Sequence, residues 1–174
     1  MAGWLVLNTD ASKPEASGDA AIGAILRQKP RPTAPMKVVA YISEVVGPVE
    51  IQEAEYHALI EGLKLALRHH PDDLQVFTDS AIVADQIRHE APRMKSYMKP
   101  LHAEVRRLLA EIGERQVRIS WLPRELNREA DQRASDAFFK KVGNAWVRPE
   151  AARSPSDPGW PARGFSSSKV RYSM

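Results

Sequence analysis

The order of strand-like and helix-like segments is the feature that most constrains the fold. Trp4–Leu7 is a continuous apolar run, typical of a central strand buried on both faces. Two β-branched segments, Ala20–Leu26 and Val38–Val46, follow, and Pro30 and Pro32 between them exclude a helix. Helical periodicity starts only after these three segments, and from there helix and strand patterns alternate. This order predicts an α/β fold with a five-stranded mixed sheet, in which three antiparallel strands precede two parallel strands and helices flank the sheet.

The remaining segments supply the crossovers of that sheet. Helical spacing of apolar residues predicts the helices, and short apolar runs bounded by turn residues predict the strands. Trp4 and Trp121 are interpreted as core residues, and the five histidines as helix-surface residues. In sheets of this kind, a functional site is expected near the carboxyl ends of the central strands. The predicted helices are Glu50–His69, Ser80–His89, Leu101–Ile112 and Leu126–Lys140, and the predicted strands are Leu74–Thr78 and Val117–Trp121.

A change in composition after residue 140 predicts a domain boundary. Residues 1–140 carry the periodic segments, whereas Pro, Gly and Ser make up 13 of the 34 residues from 141 to 174. This composition predicts a flexible tail. Six basic residues against two acidic ones give the tail a net charge of +4, so the body carries −1 of the total of +3. A basic tail favours a nucleic acid or another polyanion as partner, although a tail that only keeps the chain soluble would have the same charge.

The composition also excludes several kinds of chemistry. The chain has no cysteine, which rules out disulfides, thiolate zinc sites and cysteine nucleophiles. Its N-terminus has no basic leader, and Asn8 and Asp10 closely follow the apolar run Trp4–Leu7. That pattern predicts neither a signal peptide nor a membrane span, and therefore a cytoplasmic protein.

Four acidic residues occupy positions where a purely structural sequence would place apolar residues. Asp10 and Asp79 each end a predicted strand, and these strands are neighbours in the predicted sheet. On a helical projection, Glu55 lies in the middle of the apolar arc of its helix. Asp131 lies beside the apolar face of the last helix, with Asn127 one turn earlier and within reach. Four acids from four separate elements are therefore predicted to point towards one region.

Buried carboxylates need compensation, because an ionised carboxylate on a buried face costs several kcal/mol. For any one of these acids, a lysine or arginine partner or a helix cap is a sufficient explanation. The sequence offers no comparable set of inward-facing bases for all four. A hard divalent cation, Mg²⁺ or Mn²⁺, prefers oxygen ligands and is the simplest compensation for clustered carboxylates. The four acids are accordingly candidate metal ligands.

The motifs around these acids resemble those of ribonuclease H, in its compact form without an extended basic protrusion. The resemblance covers about Trp4 to Phe139, nearly all of the body. The second and fourth motifs are fairly specific, and all four occur in the order and spacing of the family. They are Thr9-Asp10-Ala11-Ser12, Gln52-Glu53-Ala54-Glu55-Tyr56-His57-Ala58-Leu59-Ile60-Glu61-Gly62-Leu63, Phe77-Thr78-Asp79-Ser80 and Pro123-Arg124-Glu125-Leu126-Asn127-Arg128-Glu129-Ala130-Asp131, with Ile22-Gly23-Ala24-Ile25 in the second strand.

The resemblance implies an endoribonuclease that hydrolyses the RNA strand of RNA–DNA hybrids and leaves 5′-phosphate and 3′-hydroxyl ends. Two ions, Mg²⁺ or Mn²⁺, would be bound by the four acids, with Asp10 bridging them. The hybrid would be recognised in its shallow minor groove, where 2′-hydroxyls distinguish RNA from DNA, and the protein would act as a monomer. By this resemblance the catalytic and metal-binding residues are Asp10, Glu55, Asp79 and Asp131, and the substrate-binding residues are Ser12, Gln52, Ser80, Arg124 and Asn127.

Some positions depart from the pattern of the family. Ala11 stands where the family usually has a glycine after the first Asp. No histidine lies between Trp121 and Asp131, where many relatives have one, and Arg124 is the candidate substitute. The basic protrusion is reduced to the short segment that contains Arg93, Met94, Lys95 and Lys99.

The same residues allow other interpretations. Ser12 and Ser80 could equally be plain loop or cap residues. A 3′–5′ exonuclease of the same fold also uses four acids, but it needs an acid at the position of Ser12. Transposase-like chemistry would need another order of acids and a larger chain. The alternative of a different class is a catalytically silent nucleic-acid-binding domain, which usually lacks one of the four acids.

Overall fold

The strands and helices of the computed structural model follow the chain order predicted from the sequence. The structure describes residues 3–29, 33–142, 145–147 and 171–172. The main strands are β1 (Trp4–Ser12), β2 (Ala20–Lys29), β3 (Lys37–Gly47), β4 (Asp73–Thr78) and β5 (Val117–Trp121), and the helices are α1 (Ile51–Leu67), α2 (Ala81–Ile87), α3 (Lys99–Ile112) and α4 (Arg128–Asp136). Short strands follow at β6 (Lys140–Val142), β7 (Ala145–Val147) and β8 (Arg171–Tyr172), and 3₁₀ turns precede α3 and α4 at Ser96–Met98 and Arg124–Leu126.

The sheet is centred on β1. Its five main strands are ordered β3-β2-β1-β4-β5, and β8 adds two residues at the outer edge of β3. β1 pairs antiparallel with β2 and parallel with β4, and β5 pairs parallel with β4. Parallel neighbours need crossover connections, which α1 supplies in one case and α2 with α3 in the other. The predicted five-stranded mixed sheet is confirmed.

A large part of the core lies between the sheet and α1. Leu5 and Leu7 of β1 are buried, as are Leu59 and Leu63 of α1. Burial of each such side chain contributes about 1.5–3 kcal/mol, so this layer fixes α1 on the sheet. Gly62 permits the close approach, because a Cβ at that position would already lie 3.0 Å from a methyl group of Leu7.

The first strand and the last helix have bounds that differ clearly from the predicted ones. β1 does not end at Asp10 but continues to Ser12, because its second half still pairs with β2. The last helix, predicted over Leu126–Lys140, is α4, which covers Arg128–Asp136 only. Leu126 ends a 3₁₀ turn and is among the most exposed apolar residues described. The apolar spacing that suggested a longer helix therefore belongs to two different elements.

Three burial predictions were also wrong. Trp4 is 54% exposed, because it begins β1 on the face opposite α1, and it lies under the ammonium group of Lys29. Trp121 is 50% exposed at the end of the edge strand β5, where its Nε1 donates to the backbone oxygen of Asp79. His102 is only 5% exposed, since its Nε2 lies within hydrogen-bonding distance of two carbonyl oxygens at the end of α2.

Most of the predicted tail, 141–174, lies outside the described residues. The short strands β6 and β7 form a separate two-stranded antiparallel sheet. The division into 1–140 and 141–174 and the flexibility of the tail stay predictions. None of the helices in the described ranges is long and apolar enough to span a bilayer.

Candidate active site

The pairing of β1 with β4 brings two acids side by side. Thr9 lies opposite Thr78 in the parallel register, so the residues that follow them, Asp10 and Asp79, are neighbours. Asp10 is still inside β1 and lies opposite Gly23 of β2, whereas Asp79 comes directly after β4. Both strands run in the same direction, so both acids lie at the carboxyl edge of the sheet, where sites of α/β proteins are expected.

A third acid reaches the same place from α1. Glu55 is on the buried side of the helix, as the helical projection predicted. Asp10, Glu55 and Asp79 each place one carboxylate oxygen within 4.8 Å of the other two. These three side chains form the carboxylate cluster.

Burial and mutual repulsion raise the pKa values of two acids of the carboxylate cluster, Asp10 and Glu55. Desolvation, and then the charge of Asp79, raise the pKa of Asp10 to about 8. Desolvation, and then the charges of Asp10 and Asp79, raise the pKa of Glu55 well above its ordinary value. Both causes penalise the ionised form. Three negative charges in this place are therefore costly at neutral pH unless a cation is present.

Two oxygen atoms of the cluster fit a metal site because they are buried and unpaired. Within the described part of the chain, Asp10 Oδ2 and Glu55 Oε2 receive no hydrogen bond. Buried polar atoms are nearly always paired in proteins, so these two need an explanation. A cation with oxygen ligands would satisfy both atoms and relieve the repulsion. Carboxylates suit Mg²⁺, Mn²⁺ and Ca²⁺ better than softer metals, and the ligand set alone does not choose among the three.

The fourth predicted acid lies at the rim of the cluster. Asp131, in the first turn of α4, accepts a hydrogen bond from Arg124 Nη2 at 3.1 Å. Desolvation and Asp79 are the main causes of the raised pKa of Asp10, and the charge of Asp131 makes a further, smaller contribution. The carboxylates of Asp10 and Asp131 are therefore close enough to repel each other. The hydrogen bond and charge of Asp131 raise the pKa of Arg124 in turn. The structure thus brings three of the four predicted acids together and pairs the fourth with a base.

Asn127 lies buried beneath the start of α4. It is 1% exposed; its Nδ2 donates to the backbone oxygen of Thr9 at 2.9 Å and its Oδ1 accepts from Asn8 Nδ2 at 3.1 Å. Its own backbone oxygen accepts from the amide of Asp131 at 3.1 Å. These contacts tie the start of α4 to β1, the strand that carries Asp10. They favour a positioning role, and the substrate contact predicted for Asn127 stays a prediction.

We expect Asn127→Ala to lower the free energy of unfolding by about 1–3 kcal/mol, because Thr9 and Asn8 each lose a polar partner. Urea denaturation without metal measures the change. The matched control is Gln132→Ala, which removes an exposed amide of α4 that donates to Asp136, and it should change stability by less than about 0.5 kcal/mol. Equal denaturation midpoints for the two variants would contradict the positioning role.

Three of the predicted substrate contacts lie at the end of β1, in the first turn of α1 and at the N-cap of α2. Ser80 is the N-cap of α2 and accepts a hydrogen bond from a backbone amide three residues later, so the cap role left open by the sequence is confirmed. Ser12 is the last residue of β1 and is half-buried. Gln52, also half-buried, lies in the first turn of α1, one turn before Glu55. Contact of these three with a substrate stays a prediction.

A buried glutamine beside Gln52 was not predicted. Gln86 of α2 is 7% exposed; its Oε1 accepts from the Tyr56 hydroxyl at 2.9 Å, and its Nε2 donates to the backbone oxygen of Arg93 at 3.1 Å. Its sequence signal is its spacing of three residues from Val83, on the apolar side of α2. A polar residue there needs buried partners, but the sequence does not reveal them, because they lie in another helix and in a loop.

Comparison with known sequences assigns the family. The family described as reverse transcriptase-like matches residues 8–137, a range that includes the carboxylate cluster and Asp131. The chain belongs to this family. Its five-stranded mixed sheet with flanking helices is the ribonuclease H-like fold, and solved ribonuclease H1 structures match most of the chain.

Three proteins are similar to this member of the reverse transcriptase-like family in sequence or in structure. RNase H1 of the archaeon Halobacterium salinarum gives a TM-score of 0.68 at 26% identity, with 78% of this chain and 97% of that chain covered. The bifunctional protein Rv2228c of Mycobacterium tuberculosis is 27% identical over 92% of this chain, which spans 44% of the length of that relative. The N-terminal RNase H domain of Rv2228c, solved as a fusion with maltose-binding protein, gives a TM-score of 0.68 at 25% identity, with 78% and 94% covered. LC11-RNase H1, solved in complex with an RNA/DNA hybrid, gives a TM-score of 0.61 at 22% identity, with 76% and 95% covered, and supports the fold alone.

Proposed function

We propose that the protein is an endoribonuclease that hydrolyses the RNA strand of RNA–DNA hybrids with two divalent cations bound at the carboxylate cluster. The observation that carries the proposal is the cluster itself, with three carboxylates in reach of one another and two buried oxygens without a partner among the described residues. A cluster that served only the fold would be expected to include a base. The similarity to solved ribonuclease H structures supports the reaction class, which a fold by itself does not give.

The acidic residues and Arg124 have different proposed roles at this site. Asp10, Glu55 and Asp79 would bind the ions, Mg²⁺ or Mn²⁺, and Asp131 would add a ligand from the rim. When bound, such a pair of ions would activate a water as the nucleophile and would stabilise the charge that develops on the 3′-oxygen. The products would then carry 5′-phosphate and 3′-hydroxyl ends. The guanidinium of Arg124 is largely exposed beside Asp131, so it can donate to a phosphate oxygen of the RNA strand.

Residues around the carboxylate cluster are proposed to contact the hybrid. Ser12, Gln52 and Ser80 come from three elements that border the cluster, on the side where a minor groove with its 2′-hydroxyls would lie. We propose for this chain the same class of substrate with which LC11-RNase H1, a protein of the same fold, was solved. We propose that the protein acts as a monomer in the cytoplasm.

A hybrid-binding protein without cleavage activity is the second candidate. The pairing of Asp131 with Arg124 favours it, because Asp131 Oδ1 is bonded to a base and is not available to an ion until that pair opens. Binding of the hybrid would then depend on the surface around the cluster and not on the ions.

Cleavage of a labelled RNA–DNA hybrid tests the proposal. We expect internal cuts in the RNA strand alone with Mg²⁺ or Mn²⁺, no cuts in single-stranded RNA, duplex RNA or duplex DNA, and none in EDTA. Asp10→Asn is expected to lower the rate by about 10³-fold or more, because it removes a ligand that the ions need. Asp72→Asn, which neutralises an exposed acid in the turn before β4, is the matched control and should cleave like the wild type.

Two outcomes would decide against this function. A folded wild-type protein that binds the hybrid but cuts no substrate with either metal would establish the second candidate. Cuts that begin only at a 3′ end would indicate an exonuclease instead.

A further inference from the structure

The two ends of the Gln86 amide face different kinds of partner. The backbone oxygen of Arg93 can only accept a hydrogen bond, so the group that faces it at 3.1 Å is the NH₂ of Gln86. The carbonyl oxygen of Gln86 therefore faces α1, where the hydroxyl of Tyr56 donates to it at 2.9 Å. Because Gln86 is buried, these partners fix the orientation of its amide.

The same oxygen orients Gln52. Gln52 Nε2 donates to Gln86 Oε1 at 3.5 Å, the longest contact of this network. With the Gln52 amide reversed, two carbonyl oxygens would face each other, and neither can donate. The NH₂ of Gln52 therefore faces inward and its carbonyl oxygen faces away from Gln86. No donor from the described residues reaches that oxygen.

The loop that contains Arg93 is also attached to α1 at the protein surface. Lys95 Nζ and the Tyr97 hydroxyl donate to Glu50 Oε2 at 2.8 and 2.7 Å, and Glu50 is the N-cap of α1. The loop that contains Arg93 is thus bound to the first turn of α1 on its surface and, through Gln86, on its buried side. These two attachments hold Gln86 beside Gln52.

We propose that Gln86 is a positioning residue, which holds Gln52 so that the site presents a hydrogen-bond acceptor to the 2′-hydroxyl donor of the RNA strand. The inference rests on the proposed function, since it requires a hybrid at the carboxylate cluster, one helical turn from Gln52. A 2′-hydroxyl can donate to a fixed acceptor, whereas 2′-fluorine cannot. A freely rotating amide would tolerate 2′-fluorine, because it could turn its NH₂ towards it.

Binding of hybrids with a single 2′-fluoro nucleotide tests this inference. All proteins carry Asp10→Asn so that the hybrid stays intact, and fluorescence anisotropy gives the Kd for 2′-fluoro substitution at each RNA position in turn. At one position we expect the Kd of the parent to rise about three- to tenfold, the effect of one lost hydrogen bond. With Gln86→Leu added, the same substitution should raise the Kd by less than about twofold.

Two further variants separate positioning from a general effect on the fold. Gln75→Leu removes a half-buried amide of β4 that bonds to Ser120, and it should retain the discrimination against 2′-fluorine. Gln86→Met, with the same expectation as Gln86→Leu, covers the case in which the leucine variant does not fold.

The outcomes distinguish this inference from the proposed function. A parent that binds the hybrid without a position-specific effect, or folded Gln86→Leu and Gln86→Met variants that retain the effect in full, would overturn the role of Gln86 and leave hybrid binding intact. A parent that does not bind the hybrid would overturn the proposed substrate, and the role of Gln86 with it.

Discussion

The metal-free protein is expected to lose stability as the pH rises from 4 to 8, and Asp10→Asn is expected to remove much of that loss. Desolvation, followed by the charge of Asp79, raises the pKa of Asp10 from 3.8 to about 8. The folded-state pKa lies above the unfolded one, so the stabilisation linked to the bound proton is complete below the unfolded value and is lost as the pH approaches 8. The raised pKa of Glu55 acts in the same direction.

The expected effect is large because the Asp10 side chain is almost fully buried. A shift of this size corresponds to a loss on the order of a few kcal/mol by pH 8. Asparagine has nearly the same shape and no charge, so in EDTA at pH 8 Asp10→Asn should melt roughly 5–10 °C above the wild type. At pH 4 the two proteins should melt within about 2 °C of each other. Thermal unfolding followed by circular dichroism across this pH range measures both differences.

Metal addition completes this test. Mg²⁺ should raise the melting temperature of the wild type most at pH 8, because the ion replaces the proton at the carboxylate cluster. It should raise that of Asp10→Asn much less. Asp72→Asn, in which an exposed acid is neutralised, should follow the wild type under all conditions. A metal-free wild type that becomes more stable between pH 4 and 8, relative to Asp10→Asn, would contradict the repulsion described for the cluster.

The carboxylate cluster was predictable because regular structure fixes it. Asp10 lies in the second half of β1 and Asp79 directly follows β4. These two strands pair in parallel, and once that pairing is predicted, the register makes the two acids neighbours. Glu55 was predictable for a similar reason, since helical periodicity places it on the buried face of α1. In these cases the position of the side chain follows from the backbone of one element and its neighbour.

The features that were not predicted depend on contacts between distant elements. The ion pair of Asp131 with Arg124 requires the 3₁₀ turn before α4, and the apolar spacing had placed the last residue of that turn, Leu126, in the helix. His102 is buried because the end of α2 happens to supply two carbonyl oxygens to it. Trp121 is exposed because β5 is an edge strand, and hydrophobicity alone does not distinguish an edge from a centre. Each of these depends on where a second element lies, and composition and periodicity do not contain that information.

Gly23→Ala is expected to be the most damaging single-methyl change in the described part of the chain. A Cβ at position 23 of β2 would lie closer than 3.0 Å to the backbone at Ala130 and Ala134, the two positions where α4 rests on the strand. Backbone atoms of a helix cannot move aside one by one, so α4 as a whole must shift. We expect a loss of about 3 kcal/mol or more in urea unfolding, at the upper end of what overpacking usually costs.

Gly62→Ala is the matched control, because the atoms nearest to its added methyl group would be side-chain methyl groups of Leu7 and Thr9, at 3.0 Å, and these can adjust. The helix propensity of alanine offsets part of that strain in α1, by up to about 1 kcal/mol. A shifted α4 would also carry Asp131 away from Asp10, the residue opposite Gly23 in the sheet. Any folded Gly23→Ala protein should therefore cleave hybrids more slowly than Gly62→Ala does, with metal present. Equal stability and equal cleavage rates for the two variants would show that the position of α4 does not require a residue without a side chain at position 23.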